Sequence, residues 1–120
     1  MTFESVMAFM YQQTHSTEST VLRYEYWRGQ KPGLYYCLLS FPSAEAFWAH
    51  QASDHHEGEM ERFSECIAEL DLEPVDPVAQ ASPLPATQTA EPNPAWADEI
   101  QQQAAQFPVQ LASWWFEHRN

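Results

Sequence analysis

Two strand-like runs separated by a short turn constrain the fold more than any other feature of this sequence. Residues 20–28 and 34–41 are rich in β-branched and aromatic side chains, and the segment between them contains Gly29, Pro32 and Gly33. This composition is typical of two antiparallel strands joined by a short loop. The pattern therefore predicts a β-hairpin in the N-terminal half of the chain.

Helices are predicted on both sides of this hairpin. Thr2 can cap a first helix over residues 3–14, in which the apolar side chains recur at helical spacing. After the hairpin, Ser43 can begin a second helix, and Ser53 can cap a third that follows directly, so we expect a kink at 52–54. The predicted inner stripe of that third helix consists of His56, Met60, Phe63, Ile67 and Leu70. Helices packed against a hairpin indicate an α+β fold.

The composition changes after residue 70. Residues 71–78 contain Pro74 and Pro77, which would confine any strand there to the edge of a sheet. Residues 79–94 are rich in Pro, Ala, Ser and Thr, and we interpret them as an extended tether.

Large apolar side chains return beyond the tether. Asn93 and Pro94 are typical of the start of a helix, and the apolar density of residues 109–116 predicts a strand. We therefore expect a domain over residues 1–78, followed by a helix and a strand within residues 95–120 that pack on this domain or on a partner subunit, because so much aromatic surface is rarely left exposed.

The charge balance limits the classes of partner. Five Lys and Arg against 17 Asp and Glu give a formal net charge of -12, which repels the phosphates of a nucleic acid. The N-terminal residues lack the basic and apolar regions of a signal peptide, and no stretch approaches the roughly 20 apolar residues of a membrane span. We expect a cytoplasmic protein that binds neither nucleic acid nor membrane.

Three histidines near the predicted kink are candidate catalytic residues. An imidazole titrates close to neutral pH, so His50, His55 or His56 could act as a general base. The alternative is that they serve as hydrogen-bonded caps and packing groups. His50 and Asp54, like His55 and Glu59, are four residues apart, which suits either a metal ion or ion pairing along a helix. Since ion pairing explains this spacing alone, we expect no metal.

Aromatic side chains could form the walls of a pocket for a flat ligand. The candidate binding residues are Tyr24, Tyr26, Trp27, Tyr35, Tyr36 and Phe47. Aromatic residues on strands are also common in cores and dimer surfaces, so both roles stay open.

The segment 43–63 resembles a known family. Ala46 and Phe47 are followed after two residues by His50, and then by Ser-Asp-His over residues 53–55. This order is similar to that of the antibiotic biosynthesis monooxygenase-like family, although an aspartate stands where the family usually has proline. The resemblance covers residues 3 to about 76. It implies a ferredoxin-like fold that pairs as a homodimer, the dimeric α+β barrel.

The resemblance also implies a function. Family members with known activity are oxidoreductases that oxidise small phenolic or quinol-like aromatics with O₂ and without a cofactor, so we expect a cofactor-independent monooxygenase. The alternative is a non-catalytic dimeric module that binds a small ligand or another protein. The family pattern is βαββαβ, whereas this chain lacks the usual first strand, and residues 109–116 are the candidate to fill that position.

Overall fold

The structure, a computed structural model, describes the backbone of residues 2–119 and their side chains except those of Glu57 and Met60. The predicted place of Met60 on an inner stripe therefore lies outside the described residues. The regular elements are α1 (Phe3–Thr17), β1 (Arg23–Arg28), β2 (Tyr35–Ser40), α2 (Ala44–Gln51), α3 (Asp54–Cys66), α4 (Asp98–Gln106) and a 3₁₀ helix (Ser113–Glu117). The predicted α+β class is confirmed.

The first helix and the hairpin form where local signals place them. The side chain of Thr2 accepts a hydrogen bond from the Ser5 backbone and caps α1. Strands β1 and β2 pair in antiparallel register, with Tyr24 opposite Leu39. The turn between them requires a glycine, because Gly33 has a φ of 83°, in the left-handed region that other residues rarely adopt.

The main core lies between α1 and one face of the hairpin. Its buried members are Val6, Met7, Met10 and Tyr24. Since side chains alternate along a strand, Tyr24 faces α1 whereas Trp27 lies on the opposite face and is 59% exposed. Helix α3 packs against α1, while Trp27 and Tyr36, on the sheet face away from α1, are more than half exposed.

The predicted kink between α2 and α3 is confirmed. The Ser43 hydroxyl oxygen accepts a hydrogen bond from the Ala46 backbone at 3.1 Å and caps α2. At Ser53 the backbone is extended, and its hydroxyl donates to the His50 carbonyl oxygen at 2.6 Å instead of capping α3. This bond holds the end of α2 against the start of α3.

Helix α4 forms a second, smaller core with α2. Ala44, Trp48 and Ala104 are buried there, and Trp96 and Ile100 pack against them. The C-terminal segment thus returns to the domain through its helix.

The predicted start of this last helix at Asn93 and Pro94 is wrong by about one turn. The side-chain oxygen of Asn93 accepts a hydrogen bond from the Ala95 backbone at 2.9 Å, which closes a local turn, and α4 begins at Asp98. Asparagine favours this turn as readily as it favours a helix cap, so the sequence signal was ambiguous.

The predicted strand over residues 109–116 is also wrong. Within residues 2–119 the sheet has two strands only, and Ser113–Glu117 form a 3₁₀ helix instead. Arg119 pairs with Asp76 at 2.6 Å, which holds this end of the chain against the irregular segment that follows α3 rather than beside the sheet. Residues 109–116 therefore do not form the strand that was expected to take the place of the family's first strand. Residues 71–78 form no edge strand either.

Among the described residues, no helix combines the length and the apolar character needed to cross a lipid bilayer.

Candidate functional site

The carboxylate of Glu18 meets two histidines where three helices converge. Glu18 follows the last residue of α1, His50 lies in the last turn of α2, and His55 lies in the first turn of α3. Nδ1 of His50 is 2.8 Å and Nε2 of His55 is 2.9 Å from the same oxygen, Oε2 of Glu18. Each residue offers one potential ligand atom, and these three atoms all lie within 4.8 Å of one another. We call these three residues the Glu18–histidine cluster.

His50 is fixed in place by aromatic packing. Its side chain is 1% exposed, and its ring lies 4.9 Å from the ring of Tyr24 and 5.2 Å from that of Phe41. A buried imidazole needs a polar partner, and Glu18 supplies it. The sequence-based pairing with Asp54 therefore does not describe the contact that His50 makes.

His55 has several polar neighbours at once. Besides Glu18, its Nε2 lies 3.2 Å from the hydroxyl oxygen of Thr14 and 3.3 Å from that of Ser53. Thr14 is fully buried. The polar neighbours of His55 thus come from α1 and from the α2–α3 junction. Its suggested partner Glu59 instead forms an ion pair with Arg62 at 3.4 Å.

The pKa of His56 is set by its burial. Burial disfavours its charged form and, together with the neighbouring His50 and His55, lowers the pKa of His56 to about 4. A general base works best when its pKa is close to the working pH. His56 is therefore poorly suited to act as a general base at neutral pH.

An open groove with a volume of about 630 Å³ lies between α1 and the hairpin. Three predicted binding residues, Tyr26, Trp27 and Tyr35, line it together with residues of α1. The full lining consists of Phe3, Glu4, Met7, Ala8, Tyr11, Gln12, Glu25, Tyr26, Trp27, Arg28 and Tyr35. We call this feature the aromatic groove. None of the three predicted catalytic histidines is in its lining.

The other predicted binding residues are dispersed. Tyr24 is 1% exposed in the main core, and Tyr36 is 61% exposed on the sheet face away from α1. Phe47 packs against the smaller core, 5.9 Å from the ring of Phe41. The structure thus does not gather the predicted aromatic set into one pocket.

Two tyrosines connect the groove to the histidines. The hydroxyl oxygens of Tyr24 and Tyr26 lie 2.6 Å apart and share a hydrogen bond. Burial raises the pKa of Tyr24 to about 12 and also raises that of Tyr26, so both phenols keep their protons. Tyr26 lines the groove, whereas Tyr24 packs against His50.

Sequence reasoning missed Glu18 and Thr14. They are separated from the histidines by 32 and 41 residues, and no motif marks Glu18 among the 17 acidic residues of the chain. It also missed the part that α1 plays in the groove. Met7 and Tyr11 are four residues apart and therefore lie on the same face of α1. This spacing was the available signal that the helix face that packs in the core at Met7 continues into the groove at Tyr11.

Compared with models of protein families, with curated proteins and with solved structures, the chain matches none. The geometry of the groove and of the Glu18–histidine cluster therefore carries the functional argument.

Proposed function

We propose that the protein binds a small, uncharged aromatic molecule in the aromatic groove. The observation that carries this proposal is the groove itself, in which aromatic side chains from three elements surround about 630 Å³. Phe3 and Tyr11 come from α1, Tyr26 from β1 and Tyr35 from β2. This volume lies within the range of small-molecule sites, which are commonly apolar with a few polar groups.

The charges along the groove favour a neutral ligand. The carboxylate of Glu4 accepts two hydrogen bonds from Arg28, at 2.7 and 2.8 Å, and a third from the Tyr35 hydroxyl at 2.6 Å. Arg28 is thus already neutralised, and Glu25 is paired with Arg23 at 3.4 Å, while the whole chain carries a formal net charge of -12. An anionic aromatic would be repelled, whereas a phenol or hydroquinone would not.

Calorimetric titration with hydroquinone tests the binding. Phe3→Ala and Tyr11→Ala each remove one aromatic side chain of α1 that lines the groove, and we expect each to weaken binding about three- to tenfold, the usual range for an aromatic contact. Trp114→Ala is the matched control, because Trp114 is 62% exposed in the 3₁₀ helix and does not line the groove. The proposal would be overturned if the wild-type protein binds no hydroquinone. It would also be overturned if all three variants bind hydroquinone with equal affinity.

Oxidation of the bound aromatic by O₂ without a cofactor is part of the same proposal. It is supported by the family resemblance and by the Tyr26–Tyr24 hydrogen bond, which leads from the groove towards His50. The test is oxygen uptake with hydroquinone by protein kept in EDTA, compared with His50→Gln, because His50 is the histidine whose ring contacts Tyr24. Uptake by the wild type that the variant lacks would support an oxidase or oxygenase activity. Binding without uptake would favour the non-catalytic alternative.

The homodimer is also a proposal, supported by the open face of the hairpin. Trp27 and Tyr36 are cross-strand neighbours on the face away from α1, and they are 59% and 61% exposed. Aromatic pairs of this kind are common at the centre of protein interfaces. Light scattering after size exclusion should give twice the 13.9 kDa chain mass, and Tyr36→Ser should lower it without altering the groove lining. A monomeric wild type would contradict the dimer.

A further inference from the structure

The Glu18–histidine cluster has the composition of a metal site. Two imidazole nitrogens and one carboxylate, all from different helical elements or their ends, meet around one point. Two histidines and one carboxylate form a well-known set of ligands for divalent first-row transition metals, which leaves further coordination positions open. The set lies outside the aromatic groove, so it does not depend on ligand binding there.

The distances suit a single ion. Ligand atoms that are each about 2.1 Å from a metal and at right angles to one another are about 3 Å apart. The two nitrogens lie 2.8 and 2.9 Å from Oε2 of Glu18. Small side-chain movements would therefore bring the three atoms around one ion while the backbone keeps its course.

Nε2 of His55 has more polar neighbours than a single hydrogen bond can serve. A ring nitrogen offers either one proton or one lone pair. Nε2 of His55 nevertheless faces the carboxylate of Glu18 and the hydroxyls of Thr14 and Ser53, all within 3.3 Å. A metal ion would take the lone pair of this nitrogen and the charge of the carboxylate, and the Thr14 hydroxyl could then hydrogen-bond a metal-bound water.

The surroundings hold the donors ready and leave a way in. The side chain of His50 is 1% exposed and wedged between Tyr24 and Phe41, which fixes the orientation of its ring. The side chains of His55 and Glu18 are 11% and 19% exposed. An ion can reach the cluster from the side of these two residues, and a net charge of -12 raises the local concentration of cations.

We propose that Glu18, His50 and His55 bind one divalent first-row transition-metal ion, such as Zn²⁺ or Co²⁺. This proposal concerns a second site and goes beyond the binding of an aromatic molecule. No ligand other than the metal is needed to test it, so failure of the aromatic proposal would leave it intact.

Titration of the EDTA-treated full chain with CoCl₂ tests the site, since the visible absorption of Co²⁺ reports both binding and nitrogen ligation. We expect one Co²⁺ per chain, displaced by Zn²⁺, and a metal-dependent rise in Tm. Glu18→Gln and His55→Gln each remove one ligand, and we expect each to weaken binding at least about tenfold. His118→Gln is the matched control, because His118 is exposed near the C-terminal 3₁₀ helix. The Co²⁺ affinity of this variant should stay within about twofold of that of the wild type.

Two results would overturn the proposal. One is wild-type protein that binds no Co²⁺ or Zn²⁺. The other is that the Glu18→Gln and His55→Gln variants bind Co²⁺ as tightly as the His118→Gln variant does. His50→Ala is avoided as the main test because it would leave a cavity in the core, whereas Glu18→Gln keeps the side-chain volume, and circular dichroism of each metal-free variant verifies its fold.

Discussion

The indole Nε1 of Trp48 donates a hydrogen bond to the backbone carbonyl oxygen of Phe107 at 2.8 Å. Phe107 is the residue that ends α4, so this bond ties the C-terminal helix to α2. The Trp48 side chain is 2% exposed, and its ring lies 5.7 Å from that of Trp96. One tryptophan thus supplies both the apolar filling and the polar contact of the smaller core.

Trp48→Phe separates these two contributions. Phenylalanine keeps an aromatic ring but cannot donate to the Phe107 carbonyl, and we expect a loss of about 1–3 kcal/mol in the free energy of unfolding. Trp48→Ala also leaves a cavity, so its loss should reach about 3–5 kcal/mol. Urea unfolding followed by circular dichroism measures both. Trp114→Phe, at an exposed tryptophan, should change stability by less than about 0.5 kcal/mol, and equal losses at the two positions would contradict this account.

The elements that sequence reasoning placed well are those fixed by neighbours in the chain. Thr2 and Ser43 cap the helices they were expected to cap, and Gly33 marks the turn of the hairpin. The break before α3 also follows from a local signal at Ser53. In each case the deciding contact spans only a few residues, so one sequence is enough to indicate it.

The features that sequence reasoning misplaced depend on distant contacts. Apolar density over residues 109–116 indicates burial but not a partner, and the ion pair of Arg119 with Asp76 joins positions 43 residues apart. The same limitation hid Glu18, whose role follows only from how the ends of α1, α2 and α3 meet. The three histidines could be singled out from the sequence, because their residue type and the kink are both local features, and their catalytic role stays a prediction.

Acid should remove the contribution of Glu4 to stability. Hydrogen bonds from Arg28 and then from Tyr35 lower the pKa of Glu4 from 4.5 to about 2. Because the carboxyl binds its proton more weakly in the folded chain than in the unfolded one, its stabilising effect is complete above pH 4.5 and declines as the pH falls towards 2.

The measurement is the difference in Tm between wild type and Glu4→Gln as a function of pH. We expect the wild type to be more stable near neutrality and the difference to shrink over that acidic range. Glu61→Gln, at an exposed position on α3, is the control and should show a small difference throughout. If the Tm difference between wild type and Glu4→Gln stayed constant down to pH 2, the ion pair with Arg28 would not be the source of the pH dependence.

Asp76 should hold the C-terminal end of the chain in place. Its carboxylate accepts hydrogen bonds from Arg119 at 2.6 and 3.0 Å and from the Thr87 backbone at 3.0 Å, and Arg119 donates in turn to the Thr87 carbonyl at 2.8 Å. We expect Asp76→Asn to speed hydrogen–deuterium exchange in peptides covering residues 80–90 and 107–119, while peptides from α1 keep their protection.

Arg119→Lys should have nearly the same effect as Asp76→Asn. An ammonium group cannot reproduce the paired geometry of the guanidinium against a carboxylate. Glu117→Gln, at an exposed position two residues earlier, is the control. If hydrogen–deuterium exchange were unchanged in both Asp76→Asn and Arg119→Lys, other contacts would hold the C-terminal end of the chain in place.

Two glycines should respond to alanine in opposite directions. Gly33 has a φ of 83°, so Gly33→Ala forces an L-residue into the left-handed region and should cost about 1–2 kcal/mol. Gly58 lies inside α3, and a Cβ there would meet nothing within 4 Å. Since alanine restricts the unfolded chain and favours a helix, Gly58→Ala should stabilise the protein by about 0.5–1 kcal/mol. Urea unfolding of the two variants beside the wild type measures both changes, and shifts of the same sign would mean that either the hairpin turn or α3 differs from the geometry described.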